Sequence, residues 1–167
     1  RTVDAEADQL LRDLLETSKQ ESHVLRAEWT LGILGKLNPT PQAGSPRLFD
    51  RVIAHPSPAV RAWAIRFNSQ EGKVDPVFAQ SLVQLARGDP SPVVRLALAS
   101  ALPSLPDETR WLVAEALASH GEDADDRFLP KLIWQGMAPL VDKDQTRPLA
   151  LAGRTPLSSL ADSIHWF

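Results

Sequence analysis

Apolar residues along this chain recur three and four positions apart: Leu48 with Val52, Phe49 with Ile53, then Val60, Trp63, Ala64 and Phe67, then Val94, Leu98 and Leu102. That is the period of a helix with one apolar face, and no segment alternates with the period of two that a half-buried strand requires. The pattern predicts helices over residues 4–18, 22–36, 46–54, 58–68, 76–87, 92–102, 107–119, 126–138, 144–152 and 156–166. Five starts are marked independently, at Ser45-Pro46, Ser57-Pro58, Asp75-Pro76, Ser91-Pro92 and Thr155-Pro156. There a side-chain oxygen can accept from free backbone N–H groups, while proline takes the first helical position, where its missing N–H costs nothing.

The helices come in pairs, and the pairs repeat. His55-Pro56-Ser57-Pro58-Ala59-Val60-Arg61 recurs as Asp89-Pro90-Ser91-Pro92-Val93-Val94-Arg95, an offset of 34 that keeps Pro, Ser, Pro, Val and Arg in register. Reading outward, Gln20 to Arg26 lies 35 residues upstream and Asp125 to Lys131 lies 36 downstream. About four units follow, over residues 4–36, 46–68, 76–102 and 107–138, with the outer two degenerate. One helix pair cannot bury its apolar faces alone, so neighbouring pairs must stack in line. The expected fold is all-α, a right-handed α-solenoid occupying residues 1–167 as a single domain. Residues 139–167 carry Pro139, Pro148 and Pro156 and no Val-Arg signature, and are expected to cap the array, with Trp166 covering its end.

The spacing Asp-x-x-x-x-Val-Arg at Asp89, Val94 and Arg95, echoed by His55, Val60 and Arg61, resembles the HEAT repeat, a HEAT/armadillo-like superhelix. The resemblance implies a ladder of acid and cation between successive repeats, and a concave face lined by the second helix of each pair. Carried over, the ladder positions are Gln20/Arg26, His55/Arg61, Asp89/Arg95 and Asp125/Lys131, of which the third pair alone matches fully. Arg95 is expected to bond a turn, with Asp89 or an equivalent acceptor in a neighbouring repeat as partner.

A narrower resemblance covers residues 20–140. Leu25-Arg26-Ala27-Glu28-Trp29-Thr30-Leu31, the two Pro-Ser-Pro turns, Glu122 to Asp126, Leu129-Pro130, Trp134 and Pro139-Leu140 look like the helical middle of bacterial membrane-bound-dehydrogenase-type, haem-binding proteins. Such proteins join an amino-terminal propeller, a HEAT-like middle and a carboxy-terminal c-type haem module. That resemblance implies an extracytoplasmic, periplasmic setting.

Composition narrows the chemistry. Cysteine is absent, which removes disulfides, thiolate metal sites, thiol nucleophiles and Cys-x-x-Cys-His haem attachment from this chain. No cofactor is expected in it. A net charge of −3 gives no general attraction for phosphate backbones, and no basic block compensates, so nucleic acid is not an expected partner. No stretch reaches the roughly 18 to 20 apolar residues of a membrane span, so no membrane insertion is expected. The chain opens on Arg1 with no leader pattern, and is expected to be a piece of a larger protein.

His23, His55, His120 and His165 lack the i, i+4 spacing that puts two metal ligands on one helix face. His55 is read as the local hydrogen-bonding counterpart of Asp89, and His120-Gly121 as a helix end. In the acidic run Glu122-Asp123-Ala124-Asp125-Asp126, a calcium loop begun at Asp123 would place Arg127 at its fifth position and lacks its glycine and terminal Glu, so the run is read as a helix start. No Gly-x-Ser-x-Gly elbow or glycine-rich phosphate loop occurs, and no catalytic residue is expected. Trp29, Trp63, Trp111 and Trp134 fall in apolar stripes and are read as core. Arg26, Arg61, Arg95 and Lys131 recur once per unit and are read, with Asp89 and Asp125, as structural ladder positions, a partner-binding anion stripe being the rival. The expected function is a non-enzymatic scaffold for flanking domains or another protein. The alternative is a HEAT-like nucleic-acid-processing enzyme gripping DNA on its concave face.

Overall fold

The computed structural model describes residues 5–37, 48–69 and 74–167, which form helices and, among the described residues, no strand. The helices are α1 (Ala5–Thr17), α2 (Glu21–Ile33), α3 (Leu48–Ile53), α4 (Pro58–Ser69), α5 (Pro76–Gly88), α6 (Pro92–Ala101), α7 (Asp107–Leu117), α8 (Leu129–Met137), α9 (Thr146–Ala152) and α10 (Ser158–Trp166). Short 3-10 turns occupy Leu102–Ser104, Gly121–Asp123 and Ala138–Leu140. The chain divides into two compact units, Arg1–Asn68 and Ser69–Phe167.

The proline starts behave in different ways. Asp75 is a full cap: its Oδ1 accepts from the N–H groups of Val77 (2.9 Å) and Phe78 (3.0 Å). Ser57 Oγ accepts from Val60 N–H at 3.4 Å, whereas the Ser91 side chain makes no capping bond. The start expected at Pro156 moves to Ser158, because the Thr155 hydroxyl donates to the Ala118 carbonyl (2.7 Å) while accepting from Leu157 N–H (3.2 Å). The helix expected from residue 126 starts at Leu129, with Asp126 Oδ1 accepting from the N–H groups of Phe128 and Leu129, both at 2.7 Å. Ser45-Pro46 lies outside the described residues.

In the first unit α1 packs on α2 through Leu15, Val24, Ala27 and Leu31. A Cβ added to Gly32 would lie 2.8 Å from the Phe67 ring, so glycine at this place lets the ring of α4 rest on the backbone of α2. In the second unit α5 packs on α7, α6 on α8, and α8 on α10. First helices thus stack on first helices and second on second, around a core of Phe78, Leu82, Leu98, Leu102, Leu117 and Ile133. Gly136 serves the same purpose as Gly32, since a Cβ there would meet Leu102 Cβ at 2.5 Å.

The segment expected to cap the array is itself a helix pair. From α9, Arg147 forks onto Glu108 of α7 (2.8 and 3.2 Å) and lies over the Trp111 ring at 5.2 Å, while α10 packs on α8. Trp166 does not cover the end, being 90% exposed; the neighbouring Phe167 turns back edge-on to Trp134, with ring centroids 5.4 Å apart.

Candidate functional site

The repeated turn is a small hydrogen-bonding device built from residues close in sequence. In Asp89-Pro90-Ser91, Asp89 Oδ1 accepts from Ser91 N–H at 2.9 Å. In His55-Pro56-Ser57, the His55 ring does the same, its Nδ1 accepting from Ser57 N–H at 3.0 Å. An imidazole can accept there only when Nδ1 carries no proton. Burial, the largest influence, and the Arg61 charge lower the His55 pKa, while Glu21 opposes them, so the accepting form is favoured.

Six residues after each turn residue, a guanidinium closes the turn from the other side. Arg61 Nη1 donates to the His55 carbonyl (2.8 Å) and to that of Pro56 (3.0 Å), and Arg95 Nη1 donates to the Asp89 carbonyl (3.0 Å). Arg95 also reaches the next repeat. Its Nε and Nη2 donate to the two oxygens of Asp123 at 2.5 and 2.7 Å, with Glu122 at 3.5 Å. Both partners are buried, Arg95 at 2% and Asp123 at 4% exposure, and the Asp123 bond foremost raises the Arg95 pKa still further. A bidentate pair out of water is among the stronger polar contacts a protein makes.

The fourth ladder pair is therefore misregistered in the sequence reading. The acid is Asp123, 34 residues after Asp89 as Asp89 is 34 after His55, and not Asp125, which is exposed. Lys131 is exposed too, and Leu129 stands where the 34-residue offset from Arg95 would put a cation. Nor is the Asp89 carboxylate the hydrogen-bonding partner of Arg95: Asp89 offers its carbonyl, because its side chain is turned to Ser91. Arg26 lies exposed on α2.

His120 bridges instead of merely ending a helix. One ring nitrogen lies 2.7 Å from the Ala86 carbonyl and the other 2.9 Å from Glu122, which joins the turn to the preceding repeat. Among the described residues no group of three or more His, Cys, Asp or Glu is placed to hold a metal.

The tryptophans divide. Trp111 is buried, but Trp29 on α2 is 39% exposed and meets Trp63 of α4 edge-on, with centroids 5.2 Å apart. Trp63 in turn leans on Phe67 (5.5 Å), and Arg66 stacks over its ring at 4.7 Å. The neighbour of Trp29 in the chain, Glu28, is fully buried, with neither carboxylate oxygen hydrogen-bonded; burial pushes its pKa up to about 8. Sequence reasoning missed both features: period put Trp29 in an apolar stripe and read it as core, whereas it stands at the surface and the charged Glu28 is the residue that is buried.

The family profile for HEAT repeats matches residues 9–103, more than half of the chain's 167 residues. The chain belongs to the HEAT-repeat family. Its all-helical fold is of the α-solenoid class, as the stacking of first on first and second on second helices in the second unit illustrates. No curated protein and no solved structure matches it. Within the matched residues His55, Arg61, Asp89 and Arg95 are engaged in turn bonds, Arg95 also bonds Asp123 beyond them, and among the described residues no helix is long and apolar enough to cross a membrane.

Proposed function

We propose that this chain is a non-enzymatic scaffold whose HEAT repeats hold a protein partner or the flanking domains of a larger parent protein. The observation that carries the reading is the fate of the polar side chains. His55, Arg61, Asp89 and Arg95 are spent on turns, while Trp29, Ile33, Val93 and Phe128 stand exposed at second helices or their starts. Exposed large apolar groups on helices suit contact with protein. We further propose that the parent is a bacterial membrane-bound-dehydrogenase-type, haem-binding protein, with this chain as its helical middle in an extracytoplasmic setting. Any haem then belongs to a neighbouring domain, since this chain has no cysteine to attach one.

The test is calorimetric titration of the chain with the separately expressed domains that adjoin it in its parent, alongside a low-salt gel shift with duplex DNA. Binding in the first assay and none in the second is expected. Tight DNA binding that weakens steeply with salt, with no domain binding, would overturn the scaffold in favour of a nucleic-acid-processing protein. A haem band in the parent protein but not in this chain is the expected optical result for the parentage.

A further inference from the structure

In the first unit the second helices of the two pairs, α2 and α4, bring aromatic rings and exposed cations to one surface. Residues spaced at 26, 29, 30 and 33 share one face of α2, and all four are exposed: Arg26, Trp29, Thr30 and Ile33. Opposite them α4 presents Trp63, edge-on to Trp29, with the Arg66 guanidinium stacked 4.7 Å from its ring centroid.

Charge around this patch is one-sided. Between Pro58 and Ser69, α4 carries Arg61 and Arg66 and no acid. On α2 the acids are Glu21, at its first position, and Glu28, which is buried and faces away from the exposed stripe. Of the four acids of α1, Glu6 lies exposed in its first turn, Asp8 is engaged with Arg12 (3.0 Å) and Lys36 (2.8 Å), Glu16 with Arg51 (2.6 Å), and Asp13 with Gln9 (2.8 Å). Arg26 and Arg66 are exposed and make no ion pair with any described residue.

We propose that this patch is the docking site for an acidic peptide segment of the protein partner: an apolar side chain rests on the Trp29 and Trp63 rings while flanking carboxylates pair with Arg66 and Arg26. The assignment rests on the scaffold reading and adds the partner's chemistry. Two tryptophans held edge-to-face are rigid anchors that lose little freedom on binding. The Trp63 ring attracts the Arg66 guanidinium that lies over it, and a guanidinium offers a carboxylate the fork geometry that lysine lacks. Nucleic acid is a poor occupant, because two exposed cations fall well short of the about six to ten phosphate contacts that make such binding tight and salt-sensitive.

The experiment titrates the full chain into a fluorescein-labelled peptide in which Asp and Glu flank Leu and Phe, with a Lys-for-acid version as control, and reads anisotropy. The acidic peptide is expected to bind and the basic one not. Arg66→Glu should weaken binding by about tenfold or more, Arg66→Lys by a smaller factor, and Lys131→Glu, an exposed cation outside the patch, should leave it unchanged. Circular dichroism of each variant confirms folding, and Arg26→Glu supplies a second charge reversal on another helix. Equal affinity in Arg66→Glu and Arg26→Glu, equal binding of the basic peptide, or no binding of the acidic one overturns the assignment. If the Arg26→Glu, Arg66→Glu double variant still binds the flanking domains as the wild type does, the docking site fails and the scaffold stands. Failure of the wild type to bind any of them sinks the scaffold first.

Discussion

Replacing Asp123 by alanine should be among the most damaging single changes in the second unit, although the side chain is small and lies in a turn. It would leave the Arg95 guanidinium buried, with the Asp89 carbonyl at 3.0 Å and Glu122 at 3.5 Å as its remaining partners. Breaking one side of a buried, hydrogen-bonded ion pair costs about 3–5 kcal/mol, because the stranded charge stays out of water. A second ion pair of this unit isolates the cause. Lys143 and Asp107 approach to the same 2.5 Å, yet they are 65% and 51% exposed, and water screens such a pair so that it contributes little. Urea denaturation followed by circular dichroism would compare wild type, Asp123→Ala and Asp107→Ala. A large loss for the first and a small one for the second are expected. The double variant Arg95→Met, Asp123→Leu should recover much of the loss, since an apolar pair of similar volume often replaces a buried salt bridge at little cost. A loss below about 1 kcal/mol for Asp123→Ala, or strict additivity in the Arg95 and Asp123 variants, would refute the account.

Three further outcomes follow from single residues. The turn closed by His55 should weaken in acid: its folded pKa is depressed by burial, so the stability it lends is whole above the ordinary histidine value and is lost as pH falls through the folded one, and His55→Asp should remove that slope in urea titrations at several pH values. Glu28 behaves oppositely, its folded pKa raised by burial from 4.5 to about 8, so stability should decline as pH rises through that window. Glu28→Met should flatten the decline and stabilise the chain by roughly 3 kcal/mol at pH 7 in the same titrations. Gly136→Ala, which by helix propensity should help, should instead cost about 1–3 kcal/mol by denaturant midpoint, because its Cβ meets Leu102 Cβ at 2.5 Å.

Helix positions were legible because the signals that set them are local. Apolar period, proline starts and the 34-residue offset put α4 and α5 to α7 within a residue or two of where they stand. Contacts between repeats were less legible. Aligning the fourth turn on its cation, Lys131, displaced the acid by two residues, because a 3-10 turn at Gly121–Asp123 and an Asp126 cap lengthen that connection and put the helix start three residues later. Burial was the other blind spot. A stripe such as Val24, Ala27, Glu28 and Leu31 is apolar enough to be read as core from period alone, yet nothing local announces that Glu28 goes in with it while Trp29 stays at the surface.

The once-per-repeat cations show why sequence period is not sufficient to assign a role. At Arg61 and Arg95 the residue six back lies three positions before the helix begins, so its carbonyl projects from the turn and is free to accept from the guanidinium. At Arg26 the equivalent residue, Gln20, is the N-cap of α2 itself. Its carbonyl already accepts from the N–H groups of His23 (3.0 Å) and Val24 (3.2 Å), the ordinary duty of a cap. The missing Pro-Ser-Pro spacer therefore removes the acceptor, and with it the tie that holds Arg61 and Arg95 to their turns. What the repeat does not consume is left at the surface, and Arg26 is left one turn from Trp29 and two turns from Ile33, on the exposed face of α2 whose Trp29 meets Trp63 of α4. A binding role is best sought at such departures, where a side chain retains its place in the repeat but has lost the bond that place supplies elsewhere.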